Sequence, residues 1–207
     1  MADAKKVLEI IKKMSKDIED NKDFLTELDN IIADGDHGIN MARGFAAVEE
    51  VLPGLEDKDI ATILKQVGMK LLSTVGGASG PLYGTAFMKA GAAAAGKDDV
   101  NMDDFFVMLD AAIDGVQKRG KAVVGEKTMI DSMIPARDAM KESYAADQDA
   151  KKAFEAGIKA AEDGIEYTKT IIATKGRASY IGERSIGHQD PGATSFTIML
   201  KDIAEFV

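Results

Sequence analysis

Asp29, Asp34 and Asp36 lie close together in the chain, and His37 follows directly. The run DGDHGIN, Asp34 to Asn40, also carries Gly35 and Gly38. Like charges this near repel, so the pattern implies that something positive sits among them. Carboxylate oxygens without sulfur suit Mg²⁺, Ca²⁺ or Mn²⁺, and the chain has no cysteine. An EF-hand is excluded. Gly38 stands where that loop needs an acidic residue or Asn, and Phe45 stands where it ends on Glu. Three carboxylates that leave other positions to water and phosphate are the usual Mg²⁺ arrangement with a nucleotide. The competing reading for a single Asp is a helix cap, with Asp36 before the helix that Gly38 opens. His37 keeps four open roles: metal ligand, general base, donor to a phosphate at a helix N-terminus, or the residue that closes the turn.

Glycines cluster again in three later stretches, each with polar neighbours. Glycine lets backbone amides approach an anion closely, so the stretches are expected to converge on one ligand rather than to be mere tight turns. In GGASGPLYGT, Ala78 and Ser79 can offer amide and hydroxyl donors. GKAVVGEKT, from Gly120 to Thr128, nearly spells a Walker A loop. Glu126 interrupts it and no strand precedes it, so that assignment fails. Lys127 and Thr128 can still meet a ligand, and Thr128 reads equally well as a helix N-cap. GRASYIGERSIGHQDPGATS supplies Arg177 and Arg184 as forks for phosphate, with Arg177 ranked first because Arg184 adjoins Glu183. Its turn Asp190-Pro191-Gly192 precedes a helix, and His188, the other histidine, lies beside it.

The elements that must position these groups read as helices. Apolar residues recur at helical spacing from Val7 to Ile18, from Phe24 to Ile32 after a capping Asn21, and from Phe45 to Leu52 before Pro53-Gly54. The same spacing runs from Ile60 to Leu71 after Asp59 and from Phe106 to Val116 after Asp103. Residues 80–95, 128–145, 149–173 and 193–206 also read as helix, with a bend expected at Pro135. No segment alternates as a strand does, and ASYIGERSI reads as an ordered loop. The expected fold is all-α, with about eight helices in one domain spanning 1–207. The chain has 207 residues and a net charge of -9, with no run of Lys and Arg, which disfavours nucleic acid. No stretch has the length and apolarity of a signal peptide or membrane span, so the expected compartment is the cytoplasm.

Taken together, LDNIIADGDHGINMARGF, VGGASGPLYGTAF, GKAVVGEKTMIDSMIPA and GRASYIGERSIGHQDPGATSF resemble the nucleotide-binding, L-type subunits of dihydroxyacetone kinases that draw phosphate from the phosphoenolpyruvate phosphotransferase system. Ala33 and Glu126 depart from the commoner Gly and Asp without removing a carboxylate from the acidic set. The resemblance implies an antiparallel barrel of eight helices with ADP at one end. It implies that Asp29, Asp34 and Asp36 hold two Mg²⁺ ions that coordinate the nucleotide phosphates. It sets His37, Gly38, Asn40, Met41, Ala78, Ser79, Gly120, Met129, Arg177, Asp190, Pro191 and Gly192 near the nucleotide, with Thr128 added from the local pattern. It further implies that ADP stays bound and is rephosphorylated in place by a phosphohistidine M-type subunit, the ATP then serving a K-type subunit that holds dihydroxyacetone covalently. Two other readings compete: an ATP-dependent kinase in which nucleotide exchanges freely, and a non-catalytic adapter that binds ADP to present a docking surface. The absence of a substrate domain after KDIAEFV favours a separate subunit.

Overall fold

The computed structural model describes residues 1–207. Nine α-helices account for most of the chain: α1 (Ala4–Asp20), α2 (Lys22–Ile32), α3 (His37–Val51), α4 (Ile60–Thr74), α5 (Ser79–Ala93), α6 (Met102–Gly120), α7 (Ile130–Asp147), α8 (Ala150–Thr168) and α9 (Pro191–Ala204). Short 3-10 segments cover Leu52–Leu55 and Arg177–Ser185. One feature departs from the all-α expectation. Ala2–Asp3 (β1) pairs antiparallel with Asp99–Val100 (β2), Ala2 opposite Val100. Two-residue strands are too short to show any alternation.

The helical spacing seen in the chain becomes the core. Ile11, Ile18, Leu25, Phe45, Ile60, Ile63 and Leu71 are almost wholly shielded and belong to one continuous cluster. Each such side chain contributes roughly 1.5–3 kcal/mol through burial. Sequential helices pack side by side, most extensively α4 on α5, α5 on α6 and α7 on α8. The α4–α5 crossing is tight because glycines meet there. A Cβ on Gly68 would lie 2.6 Å from the Gly84 carbonyl, and one on Gly84 would lie 2.8 Å from the Gly68 carbonyl. On α2 the buried stripe is narrower than its apolar content: Leu25 and Ile32 are buried while Phe24 and Ile31 face outward.

Several caps differ from the sequence reading. Asn21 does not cap α2; its side-chain amide donates back to the Asp17 carbonyl at 2.8 Å and closes α1. Asn101, not Asp103, opens α6, in a reciprocal capping box with Asp104. Asp59 caps α4 as expected, accepting from the Thr62 amide at 2.8 Å. Helix α7 runs through Pro135 without a break. Helix α8 ends at Thr168 rather than near 173. The reason is tertiary: the carbonyls of Thr168 and Ile171 accept from the Lys127 ammonium, and the Lys169 carbonyl accepts from the Gly187 amide. The segment ASYIGERSI winds as 3-10 turns kinked at Gly182, whose φ is +56°.

Candidate nucleotide and metal site

The glycine-rich links gather around one cleft of about 310 Å³ at an end of the bundle. A larger hollow of about 440 Å³ is walled almost entirely by apolar side chains, and its one lysine, Lys6, donates to the Phe206 carbonyl. The polar cleft is therefore the place for the chemistry foreseen at Asp29, Asp34 and Asp36.

The acidic wall is built by the α2–α3 turn. The last turn of α2 presents Asp29, Gly35 turns the chain at φ +70°, and α3 starts at His37. One carboxylate oxygen of Asp29 accepts from the Asp36 and His37 amides at 2.8 and 3.2 Å. Asp29 thus supplies the cap that the local pattern assigned to Asp36, whose side chain makes no capping bond. One ligand oxygen each from Asp29, Asp34 and Asp36 lie within 4.8 Å of one another. Asp29 is buried and Asp34 is open to solvent. Burial, with the charges of Asp34 and Asp36 adding to it, raises the Asp29 carboxyl against the pull of its two amide bonds. A cation would relieve that strain directly, and an all-oxygen, carboxylate donor set matches Mg²⁺. Arg177 Nε lies 3.1 Å from Asp34, with its side chain mostly in solvent.

His37 lines the cleft, yet both ring nitrogens are engaged. Nδ1 is 3.0 Å from Ser79 Oγ, and Nε2 is 3.0 Å from Ser195 Oγ. Burial pushes its pKa down to about 4, so the ring is neutral. This leaves no ring N–H for a phosphate. Ala78 and Ser79 face the same space, where α5 begins without a side-chain cap. Its first amides are therefore available to an anion.

The opposite wall joins Gly120, Thr128, Met129 and the turn Asp190, Pro191 and Gly192. Thr128 Oγ1 accepts from the Ile130 amide at 3.2 Å, so its hydroxyl helps to start α7. Asp190 caps α9, accepting from the Ala193 amide at 2.7 Å. Burial pushes the Asp190 carboxyl up to about 7. Lys127 belongs to this wall, 1% exposed and with a left-handed φ of +59°. Its ammonium donates to the carbonyls of Thr168 and His188, each at 2.5 Å, and of Ile171 at 3.4 Å. Those three bonds use all its protons, so Lys127 holds the loop after α8 in place and has none left for a phosphate.

Three expected contacts lie off the cleft wall. A Cβ on Gly38 would meet the Lys22 carbonyl at 2.0 Å, so Gly38 is there to let α3 cross α2. Met41 is a core side chain. Asn40 is buried, accepts from Arg43 Nη2 at 2.6 Å and packs against Gly76, supporting the 75–79 loop from behind.

Comparison with known proteins decides the family. The DAK2 domain model matches residues 31–205. This chain belongs to the DAK2 domain family. It is 48% identical to the PEP-dependent dihydroxyacetone kinase ADP-binding subunit DhaL of Escherichia coli over 88% of this chain and 87% of that protein. It is 44% identical to the corresponding subunit of dihydroxyacetone kinase 2 of Listeria innocua, over 95% and 91% of the two chains. The fold matches the crystal structure of the dihydroxyacetone kinase of C. freundii with a TM-score of 0.74 at 27% identity. The match covers 96% of this chain and 34% of that one, so this chain spans about a third of the larger kinase. The same kinase solved with AMP-PNP and Mg²⁺ matches with a TM-score of 0.70 at 25% identity.

The DAK2 chain also carries cleft residues outside the expected set. Gly76, Gly77, Arg119, Lys175 and Gly176 line the wall. Gly77 and Gly176 were visible in the glycine clusters, and both adopt positive φ. Arg119 and Lys175 lie among other cations, Lys118, Lys121 and Arg177, with nothing local to single them out. Ser195 and Tyr83, which back His37, were hidden for a different reason: each is far from His37 in the chain.

Proposed function

We propose that this chain is the ADP-binding subunit of a phosphoenolpyruvate-dependent dihydroxyacetone kinase, a phosphotransferase. The observation that carries the reading is the set of carboxylate oxygens from Asp29, Asp34 and Asp36 within 4.8 Å of one another, facing a cleft whose other walls are glycine loops and the uncapped start of α5. Phosphoryl transfer asks a protein mainly for positioning and for neutralising charge. In this reading, residues 1–207 form one domain in which the three aspartates hold two Mg²⁺ ions. Bound there, the ions would supply positive charge between the carboxylates and the polyphosphate. The protein contributes the rest. The amides at the start of α5 receive phosphate oxygens, and Arg177 at the rim adds a positive charge. Ala78, Ser79, Gly120, Thr128, Met129 and Asp190 to Gly192 form the surface against which the nucleotide lies. No side chain is asked to act as nucleophile.

The phosphate donor in this proposal is the phosphohistidine of an M-type subunit, and the acceptor is dihydroxyacetone on a K-type subunit, all in the cytoplasm. Support comes from the high identity over nearly full length to subunits of that name. No helix of the chain is long and apolar enough to cross a membrane. Native mass spectrometry of the purified protein with ADP and Mg²⁺ is expected to show one nucleotide and two metal ions. The bound ADP is expected to become ATP only with the phosphorylated M-type partner. Free exchange with added ATP would instead support an ATP-dependent kinase. Failure to phosphorylate dihydroxyacetone with any K-type partner would overturn the kinase reading.

A further inference from the structure

His37 belongs to a buried chain of hydrogen bonds that crosses from the cleft into the bundle. Ser79 Oγ meets Nδ1, Nε2 meets Ser195 Oγ, and Ser195 Oγ meets Tyr83 Oη at 2.7 Å. Both hydroxyls at the inner end also lie 3.2 Å from the Gly192 carbonyl. That carbonyl can only accept, and this fixes the direction of the chain.

Two neutral arrangements are possible. If Nε2 carried no proton, the single Ser195 proton would go to it. The Tyr83 proton would then be needed in the short contact to Ser195, and neither hydroxyl would reach Gly192. If Nε2 carries the proton, it donates to Ser195, and the two hydroxyls fill both their mutual contact and the Gly192 carbonyl. The second arrangement makes one more hydrogen bond, on the second lone pair of a carbonyl whose first serves α9 itself. A doubly protonated ring is disfavoured because neither nitrogen has a carboxylate partner in this buried setting.

We infer that His37 is a positioning residue, held as the Nε2–H tautomer, which draws the Ser79 proton onto Nδ1 and so presents the Ser79 oxygen to the cleft as an acceptor. An acceptor is the wrong partner for a phosphate oxygen and the right one for a cation. The cation side is close: a Cβ on Gly77, two residues before Ser79, would lie 4.0 Å from Asp36 Oδ1. The tautomer stands on the geometry alone, whereas the role toward a cation rests on the Mg²⁺-nucleotide reading above.

The test is nitrogen NMR of protein labelled at histidine, with His188→Gln to assign the two rings. The expected spectrum has a protonated Nε2 and an unprotonated Nδ1 on His37. A protonated Nδ1 in the free protein would overturn the inference. Tyr83→Phe, which keeps the ring, should leave this pattern in place, because Ser195 can still donate to Gly192. On adding Mg²⁺ and ADP, the tautomer should persist. A switch to protonated Nδ1 would free the Ser79 proton for a phosphate and overturn the acceptor role. Ser79→Ala should weaken Mg²⁺-dependent ADP binding about tenfold; an unchanged affinity would count against the acceptor role. If the amides of Ala78 and Gly120 do not respond to Mg²⁺ and ADP at all, the function reading fails, and the free-protein tautomer still decides the assignment of His37.

Discussion

Two carboxylate clusters in this chain handle the same repulsion in opposite ways. At the α1–α9 contact, Asp17, Asp202 and Glu205 surround the Lys13 ammonium, at 2.5, 3.5 and 3.2 Å. At the α2–α3 turn, Asp29, Asp34 and Asp36 gather with no ammonium among them; only the solvent-exposed Arg177 touches the edge at Asp34. A cluster that carries its own cation is finished once the chain folds. A cluster that omits one remains electrostatically incomplete, which is the property a metal–nucleotide site needs. Lys127 shows the same distinction in another form. Its sequence context suggested a phosphate-binding lysine, but the fold supplies it with three carbonyls, and it acts as an internal tie.

The largest effect that would break this contrast is at the incomplete cluster. Asp36→Asn should weaken binding of ADP with Mg²⁺ by at least about a hundredfold, more than second-layer changes at metal sites usually do. The nucleotide-free protein should keep its melting temperature, because the Asp36 side chain caps nothing. The protection that ligand gives to the wild type, which grows with its concentration over Kd, should vanish. Isothermal titration and thermal melts with and without ligand measure both. A mutant that binds as before would place the charge requirement elsewhere.

Next comes the internal tie. Lys127→Met removes all three donors and leaves the carbonyls of Thr168, Ile171 and His188 short of partners in a buried place. A loss of about 3 kcal/mol is expected in urea unfolding. Limited proteolysis should then cut after Lys175 and Arg177 well before the helices. Were Lys127 a phosphate ligand instead, stability without nucleotide would hold and only affinity would fall.

Much of this was legible along the chain. Helical spacing marked α1 and α4 because their buried faces are continuous, and the crowding in DGDHG marked the site because charge repulsion is a local property. The roles within the site were less visible. That Asp29 rather than Asp36 caps α3 depends on how α2 ends, at a residue whose backbone leaves the helical region. The engagement of His37 depends on Ser79 and Tyr83 of α5 and Ser195 of α9, and no local pattern encodes that meeting. Lys127 was misleading for the same reason: what occupies its ammonium comes from two loops beyond position 165.

The finished cluster has its own signature in pH. Burial first, and then the neighbouring Asp17 carboxylate, push the Asp202 carboxyl up to about 7, and its second oxygen has no hydrogen-bond partner. Below about pH 4 the group is protonated folded and unfolded alike. Between about 4 and 7 the unfolded chain releases this proton and the folded one keeps it, so the folded state binds more protons and its stability falls as pH rises. Above about 7 the decline levels off. A change of about 2 kcal/mol is expected between pH 5 and pH 8; the lowered Asp17 carboxyl titrates below this window and does not offset it. Asp202→Asn should flatten that slope in urea unfolding followed across pH. An unchanged slope would mean that Lys13 already neutralises the group.

The smallest effect is the one that tests whether the incomplete cluster is also structural. Asp29 is the only member of the three whose carboxylate accepts from the helix start, at the Asp36 and His37 amides. Asp29→Ala should therefore lower the stability of nucleotide-free protein by about 1 kcal/mol, the usual value of an N-cap. Part of that loss is offset because a buried charge is removed with it. Asp36→Ala should show no such loss. The two variants should be alike in failing to hold Mg²⁺ and ADP and should differ only in the apo melt. If both melt like the wild type, the Asp29 bonds to α3 are incidental, and the cluster's geometry must be held by Gly35 and the turn alone.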